Sequence, residues 1–311
     1  MNLPKLNRLT GLRWRRWARK DFESPDQTRR NEKRIAELLL AGAPFAAGKL
    51  GTTEMMVLEY FDRWIRPPWP KNASWWRPTE RLQHTAGFFP LEKRAILRWL
   101  PLYRGSLRSL DLVPVWQTPG TFLSAYESRA LARYVPQAER ISLASLHPVH
   151  PPASWLPELC ALRWLVVSPF EATIRSQLPH LEKLGFFPDR ALPLLPQVRT
   201  TCQILRCPQL PYLEPPRHRD WFEALEELKA QMERKDFDVA LVGAGAWSIP
   251  LVAHAKNLGK KGLHLGGQLQ LLFGIKGGRW DQVGIYNPFW TRPLADEKPK
   301  DFMRMEHGAY W

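Results

Sequence analysis

Residues 237–281 read FDVALVGAGAWSIPLVAHAKNLGKKGLHLGGQLQLLFGIKGGRWD, and this stretch decides the fold class. It holds two consecutive strand–glycine turn–helix units. The apolar run 239–242 predicts a short strand, Gly243 and Gly245 break it, and 249–258 has the spacing of a helix. The pattern then repeats: 262–265 as strand, Gly266 and Gly267 as turn, 268–273 as helix. A glycine turn at a helix start lets the backbone approach an anion closely. The exposed N–H groups and the helix dipole there favour negative charge.

The same grammar recurs upstream. PFAAGKLGTTEM predicts a strand over 44–50, a turn over 51–53 and a helix opened by Glu54. RWLVVSPFEATIRSQL predicts a strand over 164–167, a Ser168–Pro169 cap and a helix over 170–184. Further helices are expected over 24–42, 91–107 and 221–232, and further strands over 111–116, 140–143 and 191–198. Strands alternating with helices predict an α/β fold, Rossmann-like, with a mostly parallel sheet and helices on both faces. In such sheets ligands sit beyond the carboxyl ends of the strands. The turns at 51–54, 168–171, 243–248 and 266–268 each follow a strand and precede a helix, so a parallel sheet brings all four to one edge.

Residues 1–22 read as a basic, Trp-containing tail and 23–311 as a single α/β domain, with an irregular Trp/Pro-rich insertion near 63–90. The tail (MNLPKLNRLTGLRWRRWARK over 1–20) carries Lys, Arg and Trp and no acid. It suits either an anionic membrane surface or a solvated segment. Across the 311 residues, Lys and Arg total 45 against 30 acids, a net charge of +15 that predicts an anionic partner. Charge alone raises nucleic acid as a further reading, but no base-reading motif supports it. The 3 cysteines lack paired metal spacing, and no apolar run reaches the ~18 residues of a membrane span. The expectation is a cytoplasmic protein, peripheral on the inner face of the plasma membrane if the tail binds there.

GAGAWS resembles a dinucleotide fingerprint, but Ser248 stands where its third glycine belongs and no acid follows about 20 residues on. No GxxxxGK[ST], GxSxG or HExxH occurs.

LVVSPFEATIRSQL, the 237–280 stretch, YNPFWTRP (286–293) and the closing GAYW (308–311) resemble an uncharacterised bacterial family found with polysaccharide-synthesis genes. That family is similar in turn to the GT-D fold glycosyltransferases. The resemblance covers residues 44–54 and most of 163–311. It implies a nucleotide-sugar donor, a saccharide or lipid-linked acceptor, and transfer to an envelope or exopolysaccharide. GT-D enzymes carry a DxE motif at the nucleotide-sugar and metal site. LGTTEM matches it with Thr52 in place of the Asp and Glu54 kept. A Mg or Mn ion is therefore implied by the family and set against by Thr52, a poor substitute for a carboxylate. Lys49 or Arg279 could offset the diphosphate charge instead.

On this resemblance Glu54 is the catalytic base or a metal ligand. Gly51, Thr52, Thr53, Gly243, Gly245, Gly266 and Gly267 surround the donor. Ser168, Gln268 and Asn287 contact sugar or base, and Arg279 the phosphates. Trp247 and Trp280 suit stacking on the donor and equally suit the core. The alternative is a non-catalytic partner or regulator of polysaccharide assembly that keeps the fold without the Asp.

Overall fold

A strand covered by helices on both faces needs apolar side chains on both, so it reads as a short unbroken hydrophobic run. Among the described residues there are seven strands, β1 (Phe45–Gly48), β2 (Leu112–Val115), β3 (Glu139–Ser142), β4 (Trp164–Ser168), β5 (Gln203–Arg206), β6 (Val239–Val242) and β7 (Lys261–His264); β1, β4, β6 and β7 are buried throughout, whereas β3 and β5 carry exposed residues. In the computed structural model, which describes residues 24–64, 76–116, 121–149, 152–208 and 217–311, they form one sheet in the order β3-β2-β1-β7-β6-β4-β5. Every pairing is parallel. The expected α/β, Rossmann-like fold is present.

The helices are α1 (Pro25–Leu40), α2 (Thr52–Trp64), α3 (Trp76–Ala86), α4 (Lys93–Leu107), α5 (Phe122–Tyr134), α6 (Leu156–Cys160), α7 (Glu171–Gln177), α8 (Leu195–Thr201), α9 (Trp221–Glu233), α10 (Ser248–Asn257) and α11 (Gln268–Leu272). Alternate strand residues feed two cores. Ala46, Leu165, Val167, Ala240 and Val242 pack with α2, α4, α5, α9 and α10. Phe45, Trp164, Val166, Leu241 and Leu263 pack with α1, α6, α7, α8 and α11 on the opposite face.

This division positions the site. The chain leaves β1 and β6 toward one face (α2, α10) and leaves their neighbours β7 and β4 toward the other (α11, α7). Adjacent strands whose connections part to opposite faces open a crevice at the sheet's carboxyl edge. The register makes that edge level: Gly48 is opposite His264, His264 opposite Val242, and Val242 opposite Val167. The four glycine or serine turns accordingly project from one row.

Three expectations need correction. Residues 191–198 are not a strand but a 3-10 turn (Leu192–Leu194) running into α8, and the strand follows at β5. Pro193 and Pro196 fix φ and remove ladder donors, which suits helix starts and not a sheet interior. The helix expected over 170–184 ends at Gln177 and continues as 3-10 over Leu178–Lys183, where Pro179 interrupts the α ladder. The stretch 63–90, expected to be irregular, contains α3, which buries Leu82 and Ala86; residues 65–75 lie outside the described residues. Helix α5 was not anticipated, although Thr121 caps it by accepting from the Ser124 N–H at 3.2 Å. The basic tail also lies outside the described residues. Among those described, no helix is long and apolar enough to cross a membrane.

Candidate functional site

A pocket of about 400 Å³ opens at the carboxyl edge of β1, β7, β6 and β4, within the roughly 300–1,000 Å³ typical of small-molecule sites. It brings together residues that the sequence separates by more than 250 positions. From β1 and its turn come Lys49, Gly51, Thr52, Thr53 and Glu54. From the β4 turn comes Ser168, and from the β6 turn Gly243, Gly245 and Trp247. His264 ends β7, Gly266 and Gly267 follow it, and Arg279, Glu306, Tyr310 and Trp311 add to the wall.

Glu54 is the third residue of α2, an ordinary place for an acid that complements the helix dipole. Its surroundings are not ordinary. The side chain is buried and folds back over Gly51, so a Cβ on Gly51 would overlap the carboxylate. Desolvation pushes the Glu54 pKa up, opposed by its own backbone N–H and by the Lys49 charge. Lys49 is itself pushed down, first by burial, with Glu54 pulling back upward. Its ammonium lies 4.7 Å from the Trp116 ring centroid, and Trp116 is fixed by an indole N–H donated to the Leu50 carbonyl at 3.1 Å. A buried carboxylate of raised basicity beside a lysine is a plausible general base and a poor solvated surface group.

The β6 turn is held by close approach. Gly245 has φ 54°, and a Cβ there would lie 2.5 Å from the Ala86 carbonyl oxygen, so no other residue fits without displacing the end of α3. The Thr53 hydroxyl meets the Thr85 hydroxyl at 3.1 Å and ties α2 to α3 from the other side. Trp247 is decided in favour of the core. It is 1% exposed, stacks on Trp221 at 5.9 Å and 14°, and donates its indole N–H to the Trp221 carbonyl at 3.2 Å. One edge still contributes to the pocket wall. Trp280 likewise is buried and packs beneath Gly267.

The β4 turn is less open than its sequence suggests. Ser168 lines the pocket, but its hydroxyl accepts from the Phe170 N–H at 3.2 Å. The start of α7 is already filled by Glu297, whose carboxylate accepts from the Ala172 N–H (2.6 Å), the Thr173 N–H (3.0 Å) and the Thr173 hydroxyl (2.5 Å). The chain supplies its own anion there, which leaves the turns after β1, β6 and β7 for a ligand. Two expected contacts fall outside the pocket lining. The Asn287 amide donates to the Lys183 and Leu184 carbonyls at 2.9 and 3.0 Å, and Gln268 is not among the lining residues.

Arg279 does face the pocket. Its guanidinium pairs with the Glu306 carboxylate and lies 4.9 Å from the Tyr310 ring centroid. Sequence reasoning named Lys49 as a possible counter-charge, which the pocket lining includes, and passed over His264, Glu306 and Tyr310. The position of Lys49 and His264 at the ends of strands was a usable signal. Glu306 and Tyr310 gave none, since they reach the site only because the C-terminal segment folds back: the Gly278 N–H donates to the Trp311 carbonyl and the Arg279 N–H to the Ala309 carbonyl, both at 3.1 Å.

His264 is buried neutral, its pKa lowered to about 3 by desolvation first and then by the Lys49 charge. A group whose folded pKa lies below its ordinary value contributes stability that is present above about pH 6.5 and is lost as pH falls toward 3. The loss is on the order of 5 kcal/mol for a shift of this size. Urea midpoints of the wild type should therefore fall across that window more steeply than those of His264→Asn. Identical slopes would show that His264 is not the source.

A divalent cation is tested directly by the donor set. Glu54 is the one carboxylate at the β1 turn, the residue two before it is Thr52, and Glu306 is paired with Arg279. Among the described residues no group of three His, Cys, Asp or Glu could hold a metal ion, and the Lys49 charge acts on Glu54. These residues do not fit a Mg or Mn site of the expected kind.

No family model, curated protein or solved structure matches the chain.

Proposed function

We propose that the protein is a glycosyltransferase that moves a sugar from a nucleotide-diphosphate donor to an envelope or exopolysaccharide acceptor. The observation that carries this reading is the convergence of buried Glu54, Lys49 and Arg279 with the Gly243–Gly245 and Gly266–Gly267 turns on one pocket. Phosphate oxygens suit close backbone approach at glycine turns together with fixed cations. Glu54 takes the proton of the acceptor hydroxyl as its oxygen attacks the anomeric carbon. The bond from that carbon to the diphosphate oxygen breaks, and the nucleoside diphosphate leaves with the electron pair. Lys49 and Arg279 stabilise the charge that develops on it. No step is routed through a metal.

A cytoplasmic location suits nucleotide-sugar donors, and the basic balance of the chain suits an anionic membrane that presents a lipid-linked acceptor. Thr52 in place of an acid favours one second reading: a non-catalytic partner in polysaccharide assembly that binds nucleotide without turnover.

A panel of nucleotide sugars tests the two. Under the first reading at least one donor raises the melting temperature and is hydrolysed or transferred, with no requirement for Mg²⁺ or Mn²⁺. Stabilisation without turnover selects the second reading. Neither stabilisation nor turnover by any donor would sink both.

A further inference from the structure

The pocket holds four formal charges among its described lining residues: Lys49 and Arg279 against Glu54 and Glu306. Glu306 is the unusual member. It belongs to the C-terminal strap and enters the pocket on a strained backbone, with φ 47° at Glu306 and 57° at His307, followed by Gly308 at 74°. Two consecutive non-glycine residues in the left-handed region persist only where the surroundings over-determine them. What holds them here is visible. The Glu306 carboxylate pairs with the Arg279 guanidinium and accepts from the Tyr310 hydroxyl at 3.3 Å. Tyr310 in turn packs on Gly267, where a Cβ would lie 2.8 Å from its ring, and its carbonyl accepts from the Gln270 amide at 3.3 Å. A carboxylate carried in on strained backbone thus sits against a guanidinium that lines the same pocket as the Gly243–Gly245 and Gly266–Gly267 turns.

We infer that Glu306 is an internal stand-in for a ligand phosphate, and that a diphosphate group displaces it to bind between Lys49 and Arg279 without a divalent cation. With Glu306 released, Lys49 and Arg279 face the two negative charges of an esterified diphosphate, and Glu54 is the one carboxylate side chain left among the described lining residues. Displacement also relieves the left-handed residues and frees the strap that carries Met305 and Tyr310 along the pocket wall. The inference rests on reading this pocket as a diphosphate site and adds its counter-ion and its gate.

Inorganic pyrophosphate in EDTA is the probe, titrated calorimetrically into the wild type, Glu306→Gln and the double variant Glu306→Gln/Arg279→Ala. Glu306→Gln removes the competing anion, so it should bind pyrophosphate about tenfold more tightly than the wild type, because the binding-competent fraction rises. The double variant should lose that gain. Equal or weaker binding by Glu306→Gln, or no binding by any of the three, would overturn the inference. Should Glu306→Gln fail to fold, tryptic cleavage after Arg304 in the wild type decides: saturating pyrophosphate should accelerate it, and an unchanged rate would overturn the inference. Tighter pyrophosphate binding alongside no turnover of any nucleotide sugar leaves the gate standing and removes glycosyl transfer. Turnover with unchanged pyrophosphate affinity does the reverse.

Discussion

Glu54→Gln is expected to lower glycosyl transfer by about 10²–10⁴-fold, the usual contribution of a positioned acid–base group, while leaving donor binding largely intact. The glutamine keeps the shape that Gly51 accommodates and loses only the basicity. The same substitution is expected to stabilise the fold. Burial raises the Glu54 pKa, so its folded form favours the protonated state. The corresponding stability is present below the carboxyl's ordinary value and lost as pH rises through the folded value. Ionising the buried side chain is therefore a cost, which Lys49 offsets in part, and removing the carboxyl should raise the melting temperature measured at a pH above its ordinary titration range. Opposite signs for activity and stability mark a group kept for chemistry. A variant with transfer within a few-fold of the wild type would reduce Glu54 to a helix-start acid.

Glu297→Ala is expected to be the most damaging single change to the fold. The side chain is fully buried, and its two oxygens serve three donors at the start of α7. Truncation leaves those donors dry and unpaired, at about 3 kcal/mol or more, since bonds to a charged acceptor are worth roughly 1.5–3 kcal/mol each. In a domain of this size that corresponds to about 6 °C or more in melting temperature. Leu294 would be affected too, because its N–H donates at 2.9 Å to the Thr173 hydroxyl that Glu297 orients. Chemical denaturation measures the loss, and a change below about 0.5 kcal/mol would show that solvent or a rearranged neighbour replaces the carboxylate.

The geometry of the pocket is partly legible in the sequence. The β1, β4, β6 and β7 runs were found with small errors at their ends, because a strand buried on both faces declares itself as an unbroken apolar run closed by glycine or serine. Where this failed, the cause was local: 191–198 has strand-like apolar content, and its two prolines outweigh that content. Trp247 was ambiguous for a different reason. An indole beside a glycine turn has the same local sequence whether it stacks on a ligand or, as here, on Trp221.

What the sequence determined by itself is the repeated strand–turn–helix unit, and with it a parallel sheet whose turns share one edge, because side-chain periodicity and turn chemistry act within a few residues. What only the tertiary structure decided is which turns become neighbours and which remain open. Insertion of β7 between β1 and β6 sets His264 level with Gly48 and Val242. Glu297, 125 residues away from Ala172, closes the turn after β4, and the C-terminal strap brings Glu306 to Arg279. Those pairings depend on strand order and on chain returning from a distance, which no local spacing encodes.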